Sequence, residues 1–289
     1  MSSGTTLAQA LSLAVAQLQK VETESPLFIA ELLLVCVIQQ PRSYLKAGPE
    51  RRLDAEQWAQ YQLLIERRVR GEPVAYLTGR REFWSLDLEV NPTTLIPRPE
   101  TERLVELALQ RIPMNALRRI ADLGTGSGAI ALALAHERPG CLVLATDASL
   151  PALTVARSNA ARLHINNVLF QQSEWFAALR GEVFDVIVSN PPYVAEHDIH
   201  LQRGDLRFEP QLALSSGIDG LRDLQCIVQG APAHLSAGGW LLVEHGFNQQ
   251  AAVLDLFATH GFSEVSGYTD TAGVPRVVSG YHAGNCLTT

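Results

Sequence analysis

Apolar positions in the first part of the chain recur at helical spacing. Leu7, Leu11, Val15 and Leu18 fall on one face of a helix, and residues 31–38 are apolar nearly all round, as in a buried helix. Residues 53–69 repeat the helical period after a break at "AGPE", and Gly71 and Pro73 end it. A small helical bundle is predicted over residues 1–75. The rhythm then changes. Phe83, Trp84, Leu86, Leu88 and Val90 read as a short hairpin, broken up by Pro92, Pro97 and Pro99, within a linker over 76–98. A helix is predicted over about 100–112, burying Leu104, Val105, Ala108 and Ile112.

From Arg119 onward, strand and helix periods alternate. "RIADLGTGSGAIALALAHE" and "CLVLATDASLPALTVARSNAARL" each predict a strand, a turn and a helix. "FDVIVSNPPY" and "GGWLLVEHG" add strands, "QAAVLDLFATHGF" a helix, and "EVSGYTD" and "PRVVSGY" strand-like patches. Alternation at this spacing predicts an α/β domain over 99–289, with a parallel sheet covered on both faces.

Charge and cysteines narrow the classes. A net charge of −7 argues against a protein whose main partner is a phosphate backbone. The basic clusters at Arg51-Arg52 and 66–70 have acids beside them and read as solvated helix faces. Cys36, Cys141, Cys226 and Cys286 lie far apart, without zinc-site spacing or a disulfide framework. "MSSGTTLAQALSLAVAQLQ" lacks the basic region of a signal peptide. "LFIAELLLVCVI" is too short to span a bilayer and contains Glu31. A cytoplasmic protein with no membrane and no direct nucleic-acid partner is expected.

Two motifs carry chemistry. In "ADLGTGSGA", Gly124 and Gly126 allow a tight turn and close approach of backbone to a ligand, and Gly128 and Ala129 allow close helix–strand packing. The helix N-terminus favours a ligand's negative end, and Asp147 follows at the spacing where a carboxylate takes ribose hydroxyls. The turn therefore points to a ribose-bearing ligand. Gly124, Gly126 and Ala129 also satisfy the dinucleotide pattern, so these residues alone leave a nicotinamide cofactor open.

The second motif is "NPPY", at the tip of the strand in "FDVIVSNPPYVAEHD". Asn190 offers a side-chain carbonyl. Pro191 lacks an N–H, leaving its carbonyl, and Pro192 stiffens the direction of that carbonyl. Tyr193 supplies a flat face for stacking. Two convergent acceptors and a planar platform suit a planar –NH₂ group. Holding both its hydrogens raises electron density on nitrogen and favours its pyramidalisation as it attacks an electrophilic methyl.

"DLGTGSGAIALA" followed by "NPPY" resembles the S-adenosylmethionine-dependent amino-methyltransferases of the Rossmann-like class. With "REFWSLDLEV", "TLIPRPETE", "SEWF", "GDLRFEPQLAL" and the leading helical domain, the chain resembles the release factor glutamine methyltransferase family, also called PrmC or HemK. The match runs from about residue 72 to 280, with no departure inside these motifs. It implies a Rossmann-like class I methyltransferase domain with a mostly parallel seven-stranded sheet. The implied activity is methylation of the side-chain amide nitrogen of the glutamine in the Gly-Gly-Gln loop of peptide chain release factors. S-adenosyl-L-methionine is the implied donor, S-adenosyl-L-homocysteine the product, and no metal is required. Carried over by residue, Gly124, Thr125, Gly126, Ser127 and Gly128 form the cofactor loop, Asp147 holds the ribose and Trp175 borders the adenine. Asn190 contacts both ligands, and Asn190, Pro191, Pro192 and Tyr193 clamp the glutamine amide. The helical domain helps dock the release factor, and the enzyme is expected to act as a monomer.

His197 and His200 follow the clamp, but an amide nitrogen becomes acidic only after methyl transfer, so no strong base is demanded during attack. His245 is expected to make a structural hydrogen bond, Arg207 and Glu209 to pair with each other and order a loop over the site, and Trp58 and Tyr61 to pack together. Three rivals remain: an amino-methyltransferase acting on adenine or guanine in DNA or RNA, a nicotinamide oxidoreductase, and a catalytically silent docking protein for the translation machinery. The first would need a basic channel or a target-recognition domain, the second explains nothing about Asn190–Tyr193, and the third predicts that Asn190 is dispensable.

Overall fold

The first helix, α1 (Leu7–Leu18), starts at a capping box in which Thr6 and Gln9 hydrogen-bond reciprocally. It buries Leu7, Ala10, Ala14 and Leu18, while Leu11 and Val15 are half-buried. The stripe toward the core is thus rotated from the leucine–valine face expected, with alanines at its centre. Helix α2 (Pro26–Ile38) buries Ala30, Leu33, Leu34 and Val37, and also Glu31, whose carboxylate is held by Arg42. After α3 (Arg42–Ala47), a second capping box at Asp54 and Gln57 starts α4 (Ala55–Val69). Its Tyr61 is buried and donates its hydroxyl to the Ala30 carbonyl at 3.0 Å, while Trp58 packs at 6.3 Å from the Tyr61 ring, as expected of a packing pair. The short α5 (Val74–Thr78) ends at Gly79. This computed structural model describes residues 4–21 and 25–284, and the chain forms two units, Met1–Arg80 and Arg81–Thr289. Cys36, Cys141 and Cys226 are free thiols; Cys286 lies outside the described residues.

Next along the chain, β1 (Arg80–Phe83) and β2 (Leu86–Glu89) form the expected hairpin. Trp84 and Ser85 both have positive φ, the conformation of a two-residue turn that matches strand twist. Helix α6 (Glu102–Arg111) follows a 3₁₀ turn at Pro99–Thr101. Then come β3 (Arg119–Leu123), α7 (Ala129–Glu137), β4 (Leu142–Asp147), α8 (Leu150–Arg162), β5 (Val168–Gln172), β6 (Phe184–Ser189), α9 (Arg222–Gly230), β7 (Leu235–Glu244), α10 (Gln250–Thr259), β8 (Ser263–Thr269) and β9 (Pro275–His282).

Seven strands lie in the order β5-β4-β3-β6-β7-β9-β8, parallel from β5 through β7, with β9 antiparallel to both of its neighbours. Side-chain alternation sorts them into two layers. Ile120, Val143, Val186, Val188 and Leu242 pack with α6 and α7, whereas Ala121, Leu144, Ile187, Leu241 and Val243 pack with α9 and α10. This is the Rossmann-like class I methyltransferase arrangement. The chain runs outward from β3 to β4 and β5, then returns to the other side of β3 as β6. That reversal is the topological switch point, where a doubly wound sheet opens a crevice beyond its strand ends.

Candidate active site

The turn between β3 and α7 has the backbone its glycines suggest. Gly124, Gly126 and Gly128 have φ of 75°, 57° and 88°. The Gly124 and Thr125 amides donate to the Thr146 carbonyl at 2.9 and 2.8 Å, tying the turn to β4. A Cβ on Gly128 would stand 3.1 Å from Leu132 Cδ1 and 3.2 Å from Ala156 Cβ. Asp147, the last residue of β4, accepts the Gly126 amide on Oδ2 and the Ser149 amide on Oδ1, both at 2.8 Å. Burial raises its pKa, against the lowering effect of those two bonds. Trp175, itself at positive φ, brings Cζ3 to 3.4 Å from where a Gly124 Cβ would stand. The structure therefore brings Gly124–Gly128, Asp147 and Trp175 together.

Two residues here were given no role from sequence. Asn159, fully buried, donates to the carbonyls of Ser127 (3.0 Å) and Glu89 (2.9 Å) and accepts the Glu89 amide, linking turn and hairpin. Asp122, also fully buried, accepts Thr125 Oγ1 at 2.6 Å and the Ala131 amide at 3.1 Å on Oδ2, while Oδ1 has no hydrogen-bond partner among the described residues. Burial pushes its pKa up to about 7; the two hydrogen bonds oppose this and the Asp147 charge adds to it. A carboxylate inside the apolar run of β3 was the available signal.

The tip of β6 lies beside this turn. Leu123 is register-paired with Ser189, whose hydroxyl donates to the Leu123 carbonyl at 2.6 Å, so Gly124 and Asn190 leave adjacent strands at the same level. Asn190 Nδ2 donates to Thr101 Oγ1 at 3.1 Å, which leaves Oδ1 as the acceptor end of the carboxamide. Pro191 is buried, and Tyr193 Oη donates to Glu244 Oε1 at 3.2 Å. Gln249 donates to the Tyr193 carbonyl at 3.0 Å, and a Cβ at Gly220 would meet that carbonyl oxygen at 2.3 Å, so only glycine fits behind it. Burial, then the charge of Glu244, raises the Tyr193 pKa and keeps the phenol protonated.

Glu244 is buried at the end of β7. Burial pushes its pKa up to about 7, opposed by hydrogen bonding to Thr101 and Tyr193 and by the Arg276 charge. Arg98, Glu100, Tyr193, Glu244 and Arg276 line a cavity of about 190 Å³. Glu209 accepts the Ile96 amide at 3.0 Å and pairs with Arg98, anchoring the loop over 204–210; Arg207 lies over the Phe208 ring. The partner of Glu209 is thus Arg98, from the "IPRPETE" segment, and not the expected Arg207. His245 is fully buried and its Nδ1 pairs with the Gly246 carbonyl, the structural bond expected; His197 and His200 are exposed.

The profile of the PrmC N-terminal domain matches residues 9–79, and that of the methyltransferase small domain matches residues 102–205. The chain is similar to the release factor glutamine methyltransferase of Xylella fastidiosa (strain Temecula1), with 53% identity over 251 residues, 87% of this chain and 91% of that one. It is 49% identical to the release factor glutamine methyltransferase of Escherichia coli (strain K12) over 267 residues, 92% and 95% of the two chains. The 16S rRNA N2 G1207 methyltransferase of T. thermophilus, solved with AdoMet and guanosine, is 19% identical over 70% of this chain and 49% of its own, with a TM-score of 0.52; that likeness concerns the fold alone.

Proposed function

This chain belongs to the release factor glutamine methyltransferase family, and we propose that its target is the glutamine of the Gly-Gly-Gln loop of peptide chain release factors, with S-adenosyl-L-methionine as methyl donor. The juxtaposition of Asn190 with the glycine turn, fixed by the Leu123–Ser189 register, carries this reading. The turn suits the donor. Its backbone is open at Gly126, the Trp175 ring packs over Gly124, and Asp147 stands at the end of β4 for the ribose. When bound, S-adenosylmethionine supplies an electrophilic methyl and leaves as S-adenosylhomocysteine.

The chain's own residues do the rest. Asn190 Oδ1 and the Pro191 carbonyl accept the two N–H bonds of the target carboxamide. Tyr193, its hydroxyl anchored on Glu244, lays its ring along the carboxamide plane. Both contacts strengthen as nitrogen becomes tetrahedral, so they favour the transition state over the ground state. The methylated nitrogen is then acidic enough to release its proton to water, and neither exposed histidine is needed as a base. The helical unit Met1–Arg80 contributes to holding the release factor, and the enzyme works as a cytoplasmic monomer. Incubating the protein with labelled methyl donor and, separately, release factor, DNA and RNA tests the reading. Label is expected in the release factor; label entering only nucleic acid overturns it.

A further inference from the structure

The proposed clamp ends on Tyr193, and the position of its ring depends on how both ends of the residue are held. One short stretch, the loop from β7 to α10, holds both. Glu244, the last residue of β7, accepts the Tyr193 hydroxyl. Further along this loop, Gln249 stands immediately before α10, is 8% exposed, and donates Nε2 to the Tyr193 carbonyl at 3.0 Å. The same Nε2 donates more weakly to the Asp219 carbonyl at 3.4 Å, and Oε1 accepts the Gly246 amide at 2.8 Å. Gly246 itself lies beside the ring, its Cβ position 3.5 Å from Tyr193 Cδ2.

Every partner of the Gln249 carboxamide has one hydrogen-bonding sense. The Gly246 N–H can only donate and the two carbonyls can only accept, so a single orientation of the side chain satisfies all three. The space behind the Tyr193 carbonyl is closed as well: a Cβ at Gly220 would stand 2.3 Å from that oxygen and 2.8 Å from Gln249 Nε2. The next residue is fixed from another side, where Val194 donates to the Leu214 carbonyl and accepts the Ser216 amide, both at 2.9 Å. We propose that Gln249 is a positioning residue, which fixes the Tyr193 main chain so that the ring stands against the target carboxamide. The proposal rests on the reading of Asn190–Tyr193 as the segment that holds the target amide. A carboxylate of the same shape cannot replace Gln249, because it brings an acceptor up to two carbonyl oxygens.

Gln249→Glu and Gln249→Met in the full chain separate the two ends of the carboxamide. Gln249→Glu keeps the acceptor for Gly246 and loses the donor to Tyr193, whereas Gln249→Met loses both. By NMR without substrate, exchange of the Gly246 amide is expected to be near wild type in Gln249→Glu and roughly tenfold faster in Gln249→Met. The Tyr193 carbonyl carbon should move upfield in both, as its hydrogen bond is lost. Each variant should lower kcat on release factor by about 10–100-fold, with KM and the S-adenosylmethionine Kd changed by less than about threefold, since a misplaced ring costs the chemical step. In a Tyr193→Ala background the further effect of Gln249→Glu on kcat should shrink to less than about threefold, because residues acting through one another are not additive. A merely structural glutamine would keep its full effect there. Wild-type kcat or an unmoved Tyr193 carbonyl signal in both variants overturns the proposal. So does a full further loss in the Tyr193→Ala background, or loss of cofactor binding alongside activity. Should the carbonyl signal move while the wild-type protein fails to methylate release factor, the anchoring stands and the substrate assignment falls.

Discussion

Asp122 and Glu244 are fully buried carboxyls, each with one oxygen lacking a hydrogen-bond partner among the described residues, and burial pushes both up to about 7. Between the ordinary carboxyl range and about pH 7, the folded chain holds protons that the unfolded chain has released. Their contribution to stability is therefore full below about pH 4 and lost as pH rises toward 7. Urea unfolding of wild type and Asp122→Asn between about pH 5 and 7 should show a shallower fall with pH in the variant; parallel curves would contradict the assignment. At the reaction itself, Asn190→Ala should lower turnover on release factor by about 10²–10³-fold without lowering Tm, because one preorganised polar contact to the reacting group is lost. Full activity in that variant would remove the clamp assignment, whereas its loss would argue against a docking protein. Gly124–Gly128, Asp147 and Asn190–Tyr193 could be proposed from sequence because each sits in a short contiguous motif. Thr101, Asn159 and Glu244 were not legible, since their roles depend on partners far away in the chain: 89 residues separate Thr101 from Asn190, and 51 separate Glu244 from Tyr193.

At the scale of elements, the site is made by two strand ends and one helix start. Gly128 has φ of 88° and its Cβ position is hemmed in by Leu132 and Ala156, so Gly128→Ala should destabilise the protein by about 1–3 kcal/mol, measured by urea unfolding. A stable Gly128→Ala with normal cofactor affinity would mean that the turn tolerates other backbones. Strands β3, β4, β6 and β7 were readable because each has a mostly apolar, buried run of residues at its centre. Strand β5 was not read from the residues. It is an edge strand whose burial follows no clean alternation, with Leu169 exposed and Phe170 half-buried. Helices α3 and α5 are too short to show a period. Helix α9 buries Leu224, Ile227 and Val228 at helical spacing and was legible in principle, but its strand-rich surroundings hid it.

At the scale of the molecule, the proposed site residues fall in one unit. The glycine turn, Asp147, Trp175 and Asn190–Tyr193 all lie within Arg81–Thr289, which has its own two-layered core. A chain lacking residues 1–80 should therefore bind S-adenosylmethionine within a few-fold of the full chain by calorimetry and methylate release factor poorly; loss of cofactor binding would contradict this division. The same titration with NAD(H) should show no binding, which separates a methyltransferase from an oxidoreductase built on the same turn. Among the described residues no helix is long and apolar enough to cross a membrane. The order of elements was legible because periodicity reports which face of each is buried, whereas the placement of Glu244 beside Tyr193 emerges only once β7 lies next to β6. The most direct measurement is a crystal structure with S-adenosylhomocysteine and a Gly-Gly-Gln peptide. Asn190 Oδ1 and the Pro191 carbonyl should each lie about 3 Å from the glutamine amide nitrogen, with the Tyr193 ring against the carboxamide plane. A glutamine whose nitrogen is held elsewhere, with the Asn190 oxygen facing Thr101, would contradict the account.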